Sequence, residues 1–364
     1  MEDYFAPTRQ QWLHGAPARR SVPKLNVRWL TLGLVCINLV LFGIGALGHQ
    51  SNHIQHGNGV RIGLVFDIGG KNDKSFNESA WRGLERARIE LGVSVEFVEP
   101  SGGADRETAL RALAAKHLDL VIGVGFIFSS DLERVALLFP DVKFAGVDYA
   151  PTSEKGPPPN LLGLRFREHE GSFVMGAIAA RLSVTHKVGF VGGMKIPLIR
   201  KFEAGYIAGV HHECPRCDVL SVYAGSEPKA FADAPLGQEL ASAQYSQGVD
   251  IIFHAAGKTG DGVFAAAKRR GARAIGVDSD QFANAPCCVI TSMLKRVDNA
   301  VVTVVQNVIA HKFVGGIVEL GLADGGIDIV SDDHNRVLLP AAEVLHARKL
   351  MQDIIAGRIT VPST

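Results

Sequence analysis

The sequence predicts an α/β protein of two similar lobes, each a doubly wound parallel sheet, and two observations carry that expectation. From residue 60 on, short β-branched runs alternate with segments whose apolar residues recur at helical spacing, the pattern of a parallel sheet covered on both faces. The pattern then repeats. KVGFVGGM (Lys187 to Met194) echoes RIGLVFDIGG, VDIIFHAAG (Val249 to Gly257) echoes LDLVIGVGF, and AIGVDSD (Ala274 to Asp280) echoes FAGVDYA. Gly63, Asp119 and Asp148 are matched in the same order, at similar offsets, by Gly189, Asp250 and Asp278. Three ordered echoes exceed what chance strand composition gives. With 364 residues, 47% of them hydrophobic, the chain has material for two real cores.

The first 60 residues differ from the rest. Arg9, Arg19, Arg20, Lys24 and Arg28 precede the uncharged run WLTLGLVCINLVLFGIGALG, residues 29–48. A basic flank before an apolar run is an export signal, either cleaved or kept as a membrane anchor. The positive-inside rule places residues 1–28 in the cytoplasm and everything after 48 outside it, in the periplasm or cell envelope. Residues 49–59 (HQSNHIQHGNG) read as a solvated linker rather than a metal-binding tract.

In the first lobe RIGLVF, VSVEFV, LDLVIGV and VKFAGV read as buried strands, and ESAWRGLERARIEL and RETALRALAAKHL as helices between them. LLGLRF (Leu161 to Phe166) leads to the second lobe, and CVITSMLKRVDNA (Cys288 to Ala300) is expected to return to the first. The resulting division is 60–164 with 283–324 for one lobe, and 165–282 with 325–364 for the other. Five cysteines are present. CPRC (Cys214 to Cys217) falls between a helix and a strand with no second C-x-x-C, so a local disulfide fits it better than a redox centre or a zinc site. Cys287 and Cys288 are adjacent.

Ligands of open α/β sheets sit outside the carboxyl ends of the strands. Asp67, Asp148, Gly192-Gly193, Ala256-Gly257 and Asp278 all fall at such ends, so two facing lobes would bring them to one cleft. The stretch FDIGGKNDKSFNESAWRGL lacks the spacing of a P-loop or a dinucleotide fingerprint, and its aspartates would repel phosphate. No nucleophile or metalloprotease motif accompanies the carboxylates, and His254 reads as a satisfied structural histidine. A formal net charge of +1 argues against a nucleic-acid surface. What remains is an uncharged polar ligand. Carboxylates accept hydrogen bonds from hydroxyls or ring N–H groups, and aromatic faces cover flat surfaces. Phe76 and Phe202 follow the first strand of each lobe and are placed to sandwich a planar base. Lys295 would satisfy an acceptor or neutralise an aspartate.

These residues, with GVGF, EHEGSFVMGAIAA, KVGFVGGMKIPLIRKFEAGYIAGV, DIIFHAAGKTGDGVF, IGVDSDQ and TSMLKRVDNAV, resemble the basic membrane protein family of ABC-transporter substrate-binding proteins, over about residues 60 to 360. The resemblance implies a type I periplasmic-binding fold, a purine nucleoside ligand and delivery to an ABC permease in the membrane, with no catalysis, cofactor or metal, by a monomer. It implies that Asp67, Phe76 and Asn77 contact the ligand, that Phe202 covers the other base face, and that Asp278 and Lys295 meet the sugar. Asp148 and Gly257 match further cleft positions. Many relatives are lipoproteins, whereas Cys36 lies in mid-run without the small residue that lipidation needs before it. A membrane-anchored nucleoside sensor and a nucleoside-processing enzyme are the alternatives on the same cleft.

Overall fold

The computed structural model describes residues 59–100, 105–152 and 154–364. The basic segment, the apolar helix expected over 29–48 and most of the linker lie outside the described residues. Strands β1 (Arg61–Val65), β2 (Ser94–Val98), β3 (Leu120–Val124), β4 (Lys143–Val147), β5 (Leu161–Phe166) and β11 (Gly316–Leu320) form one six-stranded sheet in the order β11-β5-β4-β3-β1-β2. Strands β6 (Lys187–Met194), β7 (Asp218–Gly225), β8 (Ile251–Ala255), β9 (Arg273–Asp278), β10 (Val289–Lys295) and β12 (Ile327–Ile329) form the other in the order β12-β10-β9-β8-β6-β7. Every described pairing is parallel except β10 with β12. The central strands β3 and β8 are buried along their whole length, as continuous apolar runs between two helix layers must be.

Helices α1 (Phe76–Leu91), α2 (Arg106–Ala114) and α3 (Ser129–Leu138) connect the strands of the first sheet. Helices α5 (Pro197–Glu213), α6 (Ala234–Ser246) and α7 (Gly260–Arg270) do the same in the second, after α4 (Glu168–Leu182) has entered it. Helix α1 turns its small and apolar residues Ala80, Leu84 and Ala87 inward and stops at Gly92, whose φ of 68° is the left-handed conformation that ends helices.

The chain changes lobe in a reciprocal way. After β5 it crosses at Arg167, and α4 packs on α5 of the second lobe; after β10 it crosses at Arg296, and α8 (Val297–Ile309) packs on α1 of the first. Both helix pairs approach closely at glycine: a Cβ on Gly209 would lie 1.9 Å from the Phe173 carbonyl oxygen, and one on Gly83 2.5 Å from that of Asp298. A third crossing leads from β11 to β12 and then to α9 (Ala341–Ile355). The crossings are tied to each other, with the Arg167 N–H donating to the Leu320 carbonyl (2.9 Å) and the Arg296 N–H to that of Gly326 (2.8 Å). One expected boundary is corrected here. Residues 289–295, assigned to the first lobe from sequence, pair with β9 and β12 in the second, and the crossing falls at the end of that strand rather than before it.

Candidate functional site

Residues just past the ends of β1, β3 and β4 face those at the ends of β8, β9 and β10 across one cavity. Asp67, Phe76, Asn77, Asp148, Phe202, Gly257, Asp278 and Lys295, the eight residues singled out from sequence, all line it. The cavity lies where each sheet order turns back on itself, β1 beside β3 and β6 beside β8.

The first-lobe wall is built by the turn after β1. The Asp67 N–H donates to the Asn77 side-chain carbonyl (3.0 Å), and the Asn77 amide donates to the Ile68 carbonyl (3.3 Å) and to Asp73 (3.0 Å). Asn77 is thus engaged with the protein on both sides of its amide and fixes the Asp67 turn. Asp73 is buried over the first turn of α1 and accepts from the N–H groups of Ser75, Asn77 and Glu78 at 2.9–3.0 Å. Its carboxylate caps those otherwise unpaired donors. Asp67 accepts the Ile68 N–H (2.6 Å) on Oδ1. Its Oδ2 lies against Gly125, where a Cβ would come within 2.1 Å and where φ is 111°. Only glycine fits there. Burial raises the Asp67 carboxyl to about 7, against the lowering effect of the Ile68 hydrogen bond.

Lys295 is the centre of the site. Its ammonium is buried, 2.6 Å from Asp148 of the first lobe and 3.1 Å from Glu168 on α4. It also stands 5.0–5.7 Å from the ring centres of Phe76, Phe166 and Phe202. Burial pushes Asp148 and Asp278 up to about 6 each, even though Lys295 acts in the opposite direction on both. Lys295 is held well above its ordinary value by the carboxylates, against its own burial. Asp148 and Asp278 both adopt left-handed backbone, φ 58° and 65°, at the ends of β4 and β9. That conformation is rare outside glycine, asparagine and aspartate, and such strain clusters at functional sites.

The lobes touch beside the cavity. Ser75 donates its hydroxyl to Asp278 (2.5 Å), Ser279 donates to the Ser75 carbonyl (2.9 Å), the Gln281 amide to the Lys74 carbonyl (3.1 Å), and Arg82 to Ser279 (2.9 Å). The cleft is therefore closed, with Asp278 a latch as well as a lining residue.

Three further residues bear on the site, Phe126 and Phe231 in its lining and Glu168 behind Lys295. Phe126 and Phe231 meet from opposite lobes with ring centres 6.3 Å apart. Phe126 ends the GVGF motif and so carried a positional signal; Phe231 follows no strand directly and carried none. Glu168, fully buried with both oxygens outside hydrogen-bond geometry, was hidden in a helix start. His254 is structural: it is buried, 3.1 Å from the Gln281 side-chain oxygen, and burial lowers it to about 4, which keeps it neutral. Cys214 is bridged to Cys217, as expected, and Cys287 to Cys288 at the start of β10, the end of the sheet away from the cleft.

A two-lobed α/β clamp with a lined interlobe cavity defines a solute-binding protein, and comparison with known proteins agrees. Residues 60–364 match the Bmp family, described as "ABC transporter substrate-binding protein PnrA-like", and the chain belongs to that family. It is 34% identical over 361 residues to the "CD4+ T-cell-stimulating antigen" of Listeria innocua, covering 91% of this chain and 98% of that one. It is 31% identical over 326 residues to the "ABC transporter nucleoside-binding protein BmpA" of Lactococcus lactis, covering 84% and 89%. The crystal structure of an ABC transporter solute-binding protein from Aeropyrum pernix superposes with a TM-score of 0.75 at 32% identity, covering 84% of this chain and 94% of that one. Among the described residues no helix is long and apolar enough to cross a membrane.

Proposed function

We propose that this protein is the extracytoplasmic receptor of an ABC importer and that it binds a purine nucleoside between its lobes, releasing it unchanged to the permease. The observation that supports this most directly is the convergence of Phe76, Phe202, Asp67, Asp148 and Asp278 around the buried ammonium of Lys295. Aromatic faces suit the two sides of a base, and stacking contributes ~1–3 kcal/mol per base. Carboxylates suit ribose hydroxyls and ring N–H donors. The acidic excess opposes a phosphate, so the dephosphorylated form is the fitting ligand. The relative named as nucleoside-binding in Lactococcus lactis supports the same class.

The reading is tested by a melting-temperature screen against nucleosides, free bases, nucleoside monophosphates, sugars and amino acids. Purine nucleosides raise the melting temperature by mass action and their monophosphates do not. A response confined to sugars or amino acids would reject it. Asp278→Asn then weakens ribonucleosides more than free bases in calorimetry; equal losses would remove Asp278 from the sugar.

A further inference from the structure

The end of the second lobe farthest from the cleft gathers a second set of chemistry-bearing groups. Cys214 is the residue at which α5 stops, and its N–H donates to the Val210 carbonyl (2.8 Å). Cys217 leads into β7, and the His211 ring meets its carbonyl at 3.2 Å. His186, far away in sequence, occupies the turn before β6 with a φ of 57°, and its carbonyl accepts the Asp218 N–H (2.9 Å). That pairing sets the His186 ring nitrogen Nδ1 3.7 Å from the Cys217 sulfur and 4.0 Å from the Cys214 sulfur. The three donor atoms lie within 4.8 Å of one another, with His186 exposed, Cys214 half-buried and Cys217 buried.

We propose that this corner is a redox-gated metal site: with the Cys214–Cys217 bridge reduced, the two sulfurs and His186 bind a thiophilic cation of the zinc class. In the bridged form the sulfurs are bonded to each other and are not thiolate ligands. A dithiol reductant supplies two electrons and two protons, is itself oxidised to a disulfide, and leaves two thiols. Metal binding then releases both protons as the thiolates ligate. Two cysteines and one histidine, with water in the fourth place, form a known zinc ligand set. Tetrahedral ligation separates donor atoms by roughly 3.5–3.8 Å, close to the histidine–sulfur spacing already present. The location favours a cation for a second reason. The C-terminus of α5 presents the negative end of the helix dipole, which disfavours free thiolates and stabilises a positive ion among them. The sequence alone argued against zinc because no second C-x-x-C follows; the third ligand comes from a turn that only the sheet brings alongside.

The test uses the full chain, reduced with a phosphine and titrated with cobalt(II) alone. The expected result is one cobalt per chain, with a thiolate charge-transfer band and the visible bands of tetrahedral cobalt, lost on adding zinc. The oxidised protein shows neither band. His186→Ala lowers the cobalt affinity at least tenfold, and Cys217→Ser removes the charge-transfer band. Cys214→Ser, at the less buried sulfur, serves if the Cys217 variant fails to fold. A reduced protein without a stoichiometric charge-transfer band, or one whose affinity is unchanged in His186→Ala, would overturn the proposal.

Discussion

The two lobes share a frame and differ in what they hang on it. Asp119 accepts the Arg61 N–H (2.8 Å) at the start of β1, and Asp250 accepts the Val184 and Thr185 N–H groups (2.6 and 3.1 Å) before β6, so the matched pair has matched structural work. Asp148 and Asp278 keep the same backbone conformation but meet different partners, Lys295 for one and Ser75 for the other. At the first strand the lobes diverge completely. The first places the Asp67 carboxylate past β1, whereas β6 runs on to Gly193, where a Cβ would lie 2.2 Å from the Phe231 ring. The first rim, with Asp67, Asp73 and Asp148 beside Phe76 and Phe126, is the more acidic; the second sets Lys295, Phe202 and Phe231 beside Asp278. The groups that hold strands in place are alike in the two lobes, while the rims are not.

The largest effect is expected where the two rims are joined by charge. Lys295→Met leaves Asp148 buried without its cation and Glu168 with Lys201 alone, at 3.6 Å. Removing one partner of a buried pair costs about 3–5 kcal/mol, to be read as a fall in denaturant-unfolding stability together with loss of ligand binding in calorimetry. A variant as stable as the parent would show that the carboxylates are neutral in the folded chain. Next comes the acidic rim alone. Burial holds Asp67 at about 7 when folded, against about 4 for an ordinary aspartate. The folded chain therefore binds a proton that the unfolded chain has lost between these values. Asp67's contribution to stability is full below about pH 4 and is lost as pH rises through 7. Between about pH 5 and about pH 8 the ligand-free protein loses on the order of 2 kcal/mol through this group. Asp67→Asn flattens that slope in melting curves; an unaltered slope would assign the pH dependence to other groups.

The aromatic residues of the two rims follow. Phe202 is 3% exposed yet lines the cavity, and base stacking is worth ~1–3 kcal/mol. Phe202→Ala is expected to weaken the proposed purine nucleoside at least tenfold in calorimetry. Phe76→Ala gives a comparable loss if both faces of the base are covered, and a much smaller one if Phe202 acts alone.

The sheets and the rim residues were legible because β-branched runs and strand-end positions are local signals, and the repeat let each lobe check the other. β10 is where the local signal and the repeat diverge. LLGLRF stays in its own sheet and the chain crosses after it; the same rule for VITSMLK would have put the crossing at Arg296. Partners were less legible than positions. Asn77 and Asp73 stand in the same motif as Asp67, but only the folded turn shows that their polar groups are spent on backbone N–H and carbonyl groups and on each other. Glu168 and His186 act through residues more than a hundred and about thirty positions away, and no periodicity reports such pairings.

The smallest effect tests closure itself. Ser75 belongs to the acidic rim, yet its hydroxyl and carbonyl both bond to the opposite lobe, at Asp278 and Ser279. In an opened cleft water would replace those partners, so Ser75→Ala exchanges one protein hydrogen bond for none in the closed form only. A typical net hydrogen bond is worth about 1 kcal/mol, which corresponds to roughly a fivefold loss of affinity. The loss should fall on ligand release, measured by stopped flow, because the latch forms after the ligand has reached one lobe. The melting temperature of the ligand-free protein should barely move. A lowered ligand-free melting temperature with unchanged release would instead make Ser75 part of the α1 cap, and closure would then rest on Lys295 and Asp148.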